Sequence, residues 1–220
     1  MTEPQWDGVT RSATLGARVV EARHRLADAA RDYDWEQVIA LLEEQPEAIN
    51  SSRPDGASGF APLHQAAHGG APVAVIERLL EMGAWRTLRN ARGERPLDVA
   101  RRKRHEHLLA VLEPEYRREI PAEVLRRIQA NFHDVIRGRA SPLIEEHSLR
   151  LPELENLLEM AQPKVWFPVP GMYGGFSYWI EREGADAQLV SASWSRVVGG
   201  SGQRHVIDAE GSTLVEEGFV

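Results

Sequence analysis

Apolar residues recur at helical spacing through the first two thirds of this 220-residue chain and at alternating spacing through the last quarter. Val19, Val20, Leu26, Ala29 and Ala30 make one helical face, and Val38, Ile39, Leu41 and Leu42 make another. The polar run Arg31-Asp32-Tyr33-Asp34 between them predicts a helical hairpin. Residues 1–16 show no apolar period and read as a flexible N-terminal arm, with Trp6 as a candidate docking residue. From Glu115 a further helix is predicted. Pro121 suits its first turn, Val124, Ile128, Phe132, Val135 and Ile136 follow helical spacing, and Gly138 is the expected end. A short second helix is expected from Pro152 through Leu154, Leu157 and Leu158 to Ala161. Beyond it the period changes to two. Phe176, Tyr178 and Ile180 alternate with Ser177, Trp179 and Glu181, and Val190, Ala192, Trp194, Arg196 and Val198 alternate with polar residues. Shorter runs follow at Arg204–Asp208 and Thr213–Glu217. Turns are expected at Glu183–Asp186, Gly199–Gly202 and Ala209–Gly211. A meander of four or five strands results, too small to stand alone, which should pack on the two preceding helices.

The middle of the chain repeats itself. GFAPLHQAA begins at Gly59 and GERPLDVAR at Gly93, an offset of 34 residues. The first hairpin repeats more loosely: Ala29-Ala30 precedes Ala66-Ala67 by 37 residues, and Leu41-Leu42 precedes Leu79-Leu80 by 38. Pro62 and Pro96 suit first helical turns, where no N–H is required. Ala66, Ala67 and Ala100 permit close helix packing, and Gly83 a left-handed helix end.

This pattern resembles the ankyrin-repeat family over about residues 24–113. The central copy carries Gly59, Ala61-Pro62-Leu63-His64-Gln65-Ala66-Ala67, Gly70, Val75-Ile76, Leu79-Leu80 and Gly83-Ala84. The next carries Gly93, Pro96-Leu97-Asp98-Val99-Ala100 and Leu108-Leu109. Ala61 and Arg95 stand where the family has Thr, and one extra residue lies between Gly70 and Gly83. The resemblance implies three stacked repeats with projecting fingers and a His64 ring bonded to the backbone of the next finger. It also implies a groove that holds protein partners. The tail phrases WFPVPGMYGGFSYW and SWSRVVGGSGQRH resemble the C-terminal part of bacterial ankyrin-repeat proteins of unassigned role.

Composition adds exclusions. With 42% hydrophobic and 27% charged residues, the chain is ordinary for a globular protein. The absence of cysteine excludes disulfides, thiolate metal sites and a cysteine nucleophile. No apolar run approaches the roughly 20 residues that span a bilayer, and the polar N-terminus lacks a signal-peptide stretch, so a cytoplasmic location is expected. The net charge of -7 is uneven. Arg86 to Arg139 holds 14 basic and 8 acidic residues, a block of +6 in a remainder of -13. A basic stripe for nucleic acid would need one common face and a higher isoelectric point, so nucleic acid is not the expected partner. A protein with acidic surface is.

The expected fold class is α+β: an all-α ankyrin-repeat stack, then two helices and a small antiparallel sheet. The boundaries are arm 1–16, repeat domain 17–114, capping or linking helices 115–162 and β-meander 163–220. The expected function is protein–protein interaction through the groove and finger tips, inhibiting or regulating the partner, a toxin's immunity protein being one such role. Partner contacts are expected at Asp55, Ser58, Phe60, Trp85, Arg86, Arg89 and Arg92, with Trp and Arg the types enriched at hot spots. The alternative is a ligand-binding or enzymatic C-terminal domain using Tyr173, Trp179, Trp194, Arg204 and His205, where rings flanked by cations stack a base or grip a peptide. No catalytic residue, metal ligand or cofactor is assigned. His64 and His68, four apart, have ligand-like spacing that is weak alone, and Gly200-Ser201-Gly202 lacks the strand–turn–helix context of a nucleophile elbow.

Overall fold

A computed structural model describes residues 4–196 and 200–218. The chain is α+β and divides into two compact units. One spans Thr10–Glu115, and the other joins the residues up to Val9 with those from Tyr116 onward.

The first unit is helical. It holds α1 (Ala17–Arg31), α2 (Trp35–Glu44), α3 (Pro62–Gly69), α4 (Val73–Glu81), α5 (Pro96–Lys103) and the single turn α6 (Leu109–Leu112). These form three successive pairs, and α3 packs against both α1 and α5. Pro62 and Pro96 open their helices, as the sequence implied. The third residue of each then turns back to the preceding amide: Ala61 N–H donates to His64 Nδ1 at 3.4 Å, and Arg95 N–H to Asp98 Oδ2 at 3.0 Å. Asp34 caps α2 by accepting from Gln37 N–H. The small residues allow the stack to close. Ala66, Ala67 and Ala100 are buried, in one core with Leu42, Leu63, Ile76, Leu79 and Leu97. Leu108 and Leu112 join the same core. Gly69 and Gly70 are required by close approach. A Cβ on Gly69 would lie 2.4 Å from the Tyr33 ring, and one on Gly70, which is left-handed at φ 66°, 2.7 Å from the His105 ring.

The second unit carries α7 (Ala122–His147), the single turn α8 (Asn156–Glu159) and five antiparallel strands in sequential order. The strands are β1 (Lys164–Val169), β2 (Gly174–Arg182), β3 (Gln188–Ser195), β4 (Ser201–Ile207) and β5 (Ser212–Gly218). Register sends Phe176, Tyr178 and Leu189 to one face of the sheet and Trp179, Val190 and Trp194 to the other. Helix α7 covers the first face with Ile128, Phe132 and Ile136, and the Phe132 and Tyr178 ring centres are 4.9 Å apart.

Three expectations are corrected. Gly138 does not end its helix, which runs on to His147 and bends at Ala140 (φ -139°, ψ 20°). Pro142 lies two residues beyond the bend. It has no N–H for the Gly138 carbonyl, and its ring crowds that carbonyl. The helix expected from Pro152 to Ala161 is one turn only. The N-terminal arm, as far as it is described, is structured. Trp166 N–H donates to Pro4 O and Trp6 N–H to Trp166 O, so this segment pairs with β1 in parallel. Trp6 is 1% exposed, donates Nε1–H to Arg150 O at 2.9 Å and lies under the Arg150 guanidinium. Val198 and the first residue of the predicted Gly199–Gly202 turn lie outside the described residues.

Trp6→Ala should lower stability by about 3–5 kcal/mol in urea melts, the usual loss for a buried tryptophan. A change under about 0.5 kcal/mol, usual for an exposed site, would restore the loose-arm reading.

Candidate functional site

The helical unit carries a strip of rings along α3 and its neighbours. Tyr33 follows α1 in the left-handed region (φ 61°) and is 42% exposed. That conformation is costly for a bulky residue, and the asparagine and glycine that favour it are absent. The Tyr33 hydroxyl is 3.0 Å from His68 Nδ1, and its ring centre lies 5.8 Å from that of Trp35. Phe60, half-buried, stacks on His64 at 5.5 Å and meets His68 edge-on at 5.9 Å. Burial makes His68 less basic than a free histidine, and Lys103, Arg102 and His105 add to that. His105 and His107 are spent on packing: their Nε2 atoms lie 3.1 Å from His68 O and 3.3 Å from Ala71 O. The His68 carbonyl is left over in the last turn of α3, and the Ala71 carbonyl lies just beyond its end.

The loop before α5 is the most tightly organised part of this surface. Buried Asn90 accepts from Arg92 N–H at 2.8 Å and Glu94 N–H at 3.0 Å, and donates Nδ2–H to the Glu94 carboxylate. His64 Nε2 is 3.2 Å from Glu94 O, so α3 holds the loop by its backbone as the histidine reading expected. Arg102 closes on Glu94 at 2.7 and 3.2 Å. Arg102 and Asn90 together hold the Glu94 carboxyl well below its usual range, at about 2.

The seven predicted partner contacts are scattered in role. Asp55, Ser58 and Arg92 are exposed, and Phe60 and Arg89 are half-buried. Asp55 also ties Thr10–Ser12 to its loop, accepting from Ser12 N–H at 3.1 Å while its own N–H bonds Thr10 O. Ser58 O receives Ala91 N–H, which joins the two loops. Trp85 is not a surface contact. It is 5% exposed, its amide held by Asn50 Oδ1. Arg86 is tethered to Val111 O at 3.0 Å and faces Glu115. Tyr33, His68 and Lys103 were missed. Their sequence neighbours say nothing of the fold contact that gathers them, although the Asn-x-x-Gly run at Asn90 is a turn signal.

In the C-terminal unit the five predicted ligand residues separate. Trp179, Trp194 and Arg204 share the sheet face turned away from α7. Trp166 and Lys164 stand beside them: Trp166 stacks on Trp194 at 4.3 Å, and Lys164 and Arg204 lie 5.5 and 5.7 Å from the Trp179 ring centre. His205 lies on the opposite face by alternation, cross-strand from Ser191, so the set is not one constellation. Burial and Arg139 lower its basicity, with Glu217 opposing. Tyr173 is in the turn between β1 and β2 and is 76% exposed.

No three side chains of the metal-binding types gather among the described residues. No helix among them is long and apolar enough to cross a membrane. The chain matches no protein-family model, and it matches no curated protein.

The lowered Glu94 carboxyl gives a pH signature. Its contribution to stability is present above about pH 4.5 and is lost as pH falls toward 2. Glu94→Gln should lose on the order of 1 kcal/mol at pH 7, the range of a solvent-screened pair, and should flatten the acid limb of the stability curve. Asp28 and Asp55, also lowered, act equally in both proteins. An unchanged acid limb in thermal melts would remove the Glu94–Arg102 contact from the account.

Proposed function

We propose that the helical unit is a stack of three ankyrin repeats that binds a partner protein along the strip from Tyr33 through His68 and Phe60 to the loop tip at Arg92. The observation that carries this reading is the strip itself: rings that are partly exposed, held by hydrogen bonds, with cations at their edge. Aromatic and arginine side chains on an ordered surface are the usual anchors of a protein interface. The paired proline-started helices and the His64 bond to Glu94 O support the repeat assignment. Lys103 and Arg92 are exposed, and Arg92 acts on Glu94 through its charge alone, which favours an acidic partner surface. Occupying such a partner's surface inhibits or regulates it. The compartment proposed is the cytoplasm, in keeping with a cysteine-free chain.

A second reading assigns ligand binding to the C-terminal sheet, favoured by Trp179 lying between two cations. An enzymatic role there loses support, because His205 is on the other face from Arg204 and Trp179.

Affinity capture with the full chain should retain an acidic protein from a cytoplasmic lysate. The triple variant Tyr33→Ala/Phe60→Ala/Arg92→Ala, checked for folding by circular dichroism, should lose it. Equal recovery by both would overturn the strip as the interface, and loss with Trp179→Ala instead would favour the sheet. Trp85→Ala would report on folding, not contact, since that ring is in the core.

A further inference from the structure

The sheet face turned away from α7 is roofed by its own tryptophans. Val190 and Ser177 sit at its centre and are almost fully buried, while Trp166, Trp179 and Trp194 around them remain partly exposed. Trp166 and Trp194 are nearly parallel, at 17°. Register places three cations on this same side: Lys164 on β1, Arg182 on β2 opposite Gln188, and Arg204 on β4. Arg204 Nε–H is buried and has no hydrogen-bond partner among the described residues. Glu216 is the register partner of Arg204, yet forms no ion pair with it. The same register puts Glu216 on this side, and alternation from Trp179 puts Glu181 there, so the surface is aromatic with three cations and two carboxylates.

We propose that this face binds single-stranded nucleic acid. A base stacks on the tryptophan layer, and its phosphate meets Arg204 and Lys164. Both cations lie within 6 Å of the Trp179 ring, so one nucleotide reaches ring and charge together. A roofed sheet centre offers no slots for alternate peptide side chains, which strand-like and groove-bound peptides require. A base requires only a π-face and a nearby cation, and every base has one. The site is separate from the basic residues of α5, where Arg101 and Arg102 are already paired with Glu113 and Glu94.

The test is fluorescence anisotropy of a labelled ten-nucleotide oligo(dT) with the full-length protein. Binding should weaken about tenfold between 50 and 200 mM salt, as two or three phosphate contacts imply. Trp179→Ala and, separately, Arg204→Gln should each weaken it about tenfold, while Arg101→Ala in the helical unit should leave it unchanged. Circular dichroism confirms that each variant folds, and Arg204→Gln, a polar change at a half-buried position, keeps the test sound should Trp179→Ala not fold. Competition by free thymidine monophosphate at equal concentration assigns the same ring-and-phosphate chemistry to a nucleotide, and failure to compete assigns it to a strand. Either supports the site. Absence of binding at 50 mM salt would overturn the proposal. So would unweakened affinity in both sheet variants relative to the unmutated protein, or displacement by a poly-glutamate peptide at lower concentration than unlabelled oligo(dT).

Discussion

His64 joins α3 to the loop before α5 through a buried imidazole with both nitrogens engaged, one with Ala61 N–H and one with Glu94 O. The surface of the helical unit follows from this contact. Glu94 O also receives Asn90 N–H, and Asn90 in turn sets the tip at Arg92. The Glu94 carboxylate then fixes Arg102 at the edge of α5. A buried imidazole without partners costs more than its hydrogen bonds contribute when made, so the loop has one low-energy path past α3. Phe60 stacks on the same ring, which orients the strip and the loop together.

The C-terminal unit meets a different constraint. A five-stranded sheet has two faces, and α7 covers one. The other face closes over Val190 with tryptophans from three strands rather than with a second layer of helix. Flat rings shield the centre while leaving their own π-faces in reach of solvent, which is why the same residues read both as core and as platform. The helical strip and the sheet face thus offer two separate surfaces, one proposed for an acidic protein and one for a nucleotide strand.

Much of the backbone was legible because spacing encodes it. Proline at the start of α3 and α5, the alanines between helices and the alternation of Phe176 with Trp179 were readable without coordinates. Side-chain destinations were less so. Trp85 is an aromatic in a loop and resembles an interface anchor, but Ala84, Thr87 and Leu88 around it are also buried, so the whole loop base belongs to the core. Trp6 lacks any local period because its partners are β1 and Arg150, far along the chain. Local spacing placed a stop at Gly138, whereas the helix passes through it and bends at Ala140, beside Pro142. Of the candidate sites, Arg92 and Phe60 were found from repeat position, while Tyr33 and His68 meet only through the fold.

The dependence of the loop on His64 is the claim on which the helical surface rests, and amide hydrogen exchange measures it directly. In His64→Ala, the amides of Asn90 and Ala91, bonded to Glu94 O and Ser58 O, should lose protection by tenfold or more, while those of α7 keep theirs. Unchanged protection at Asn90 and Ala91 in a folded variant would contradict the account.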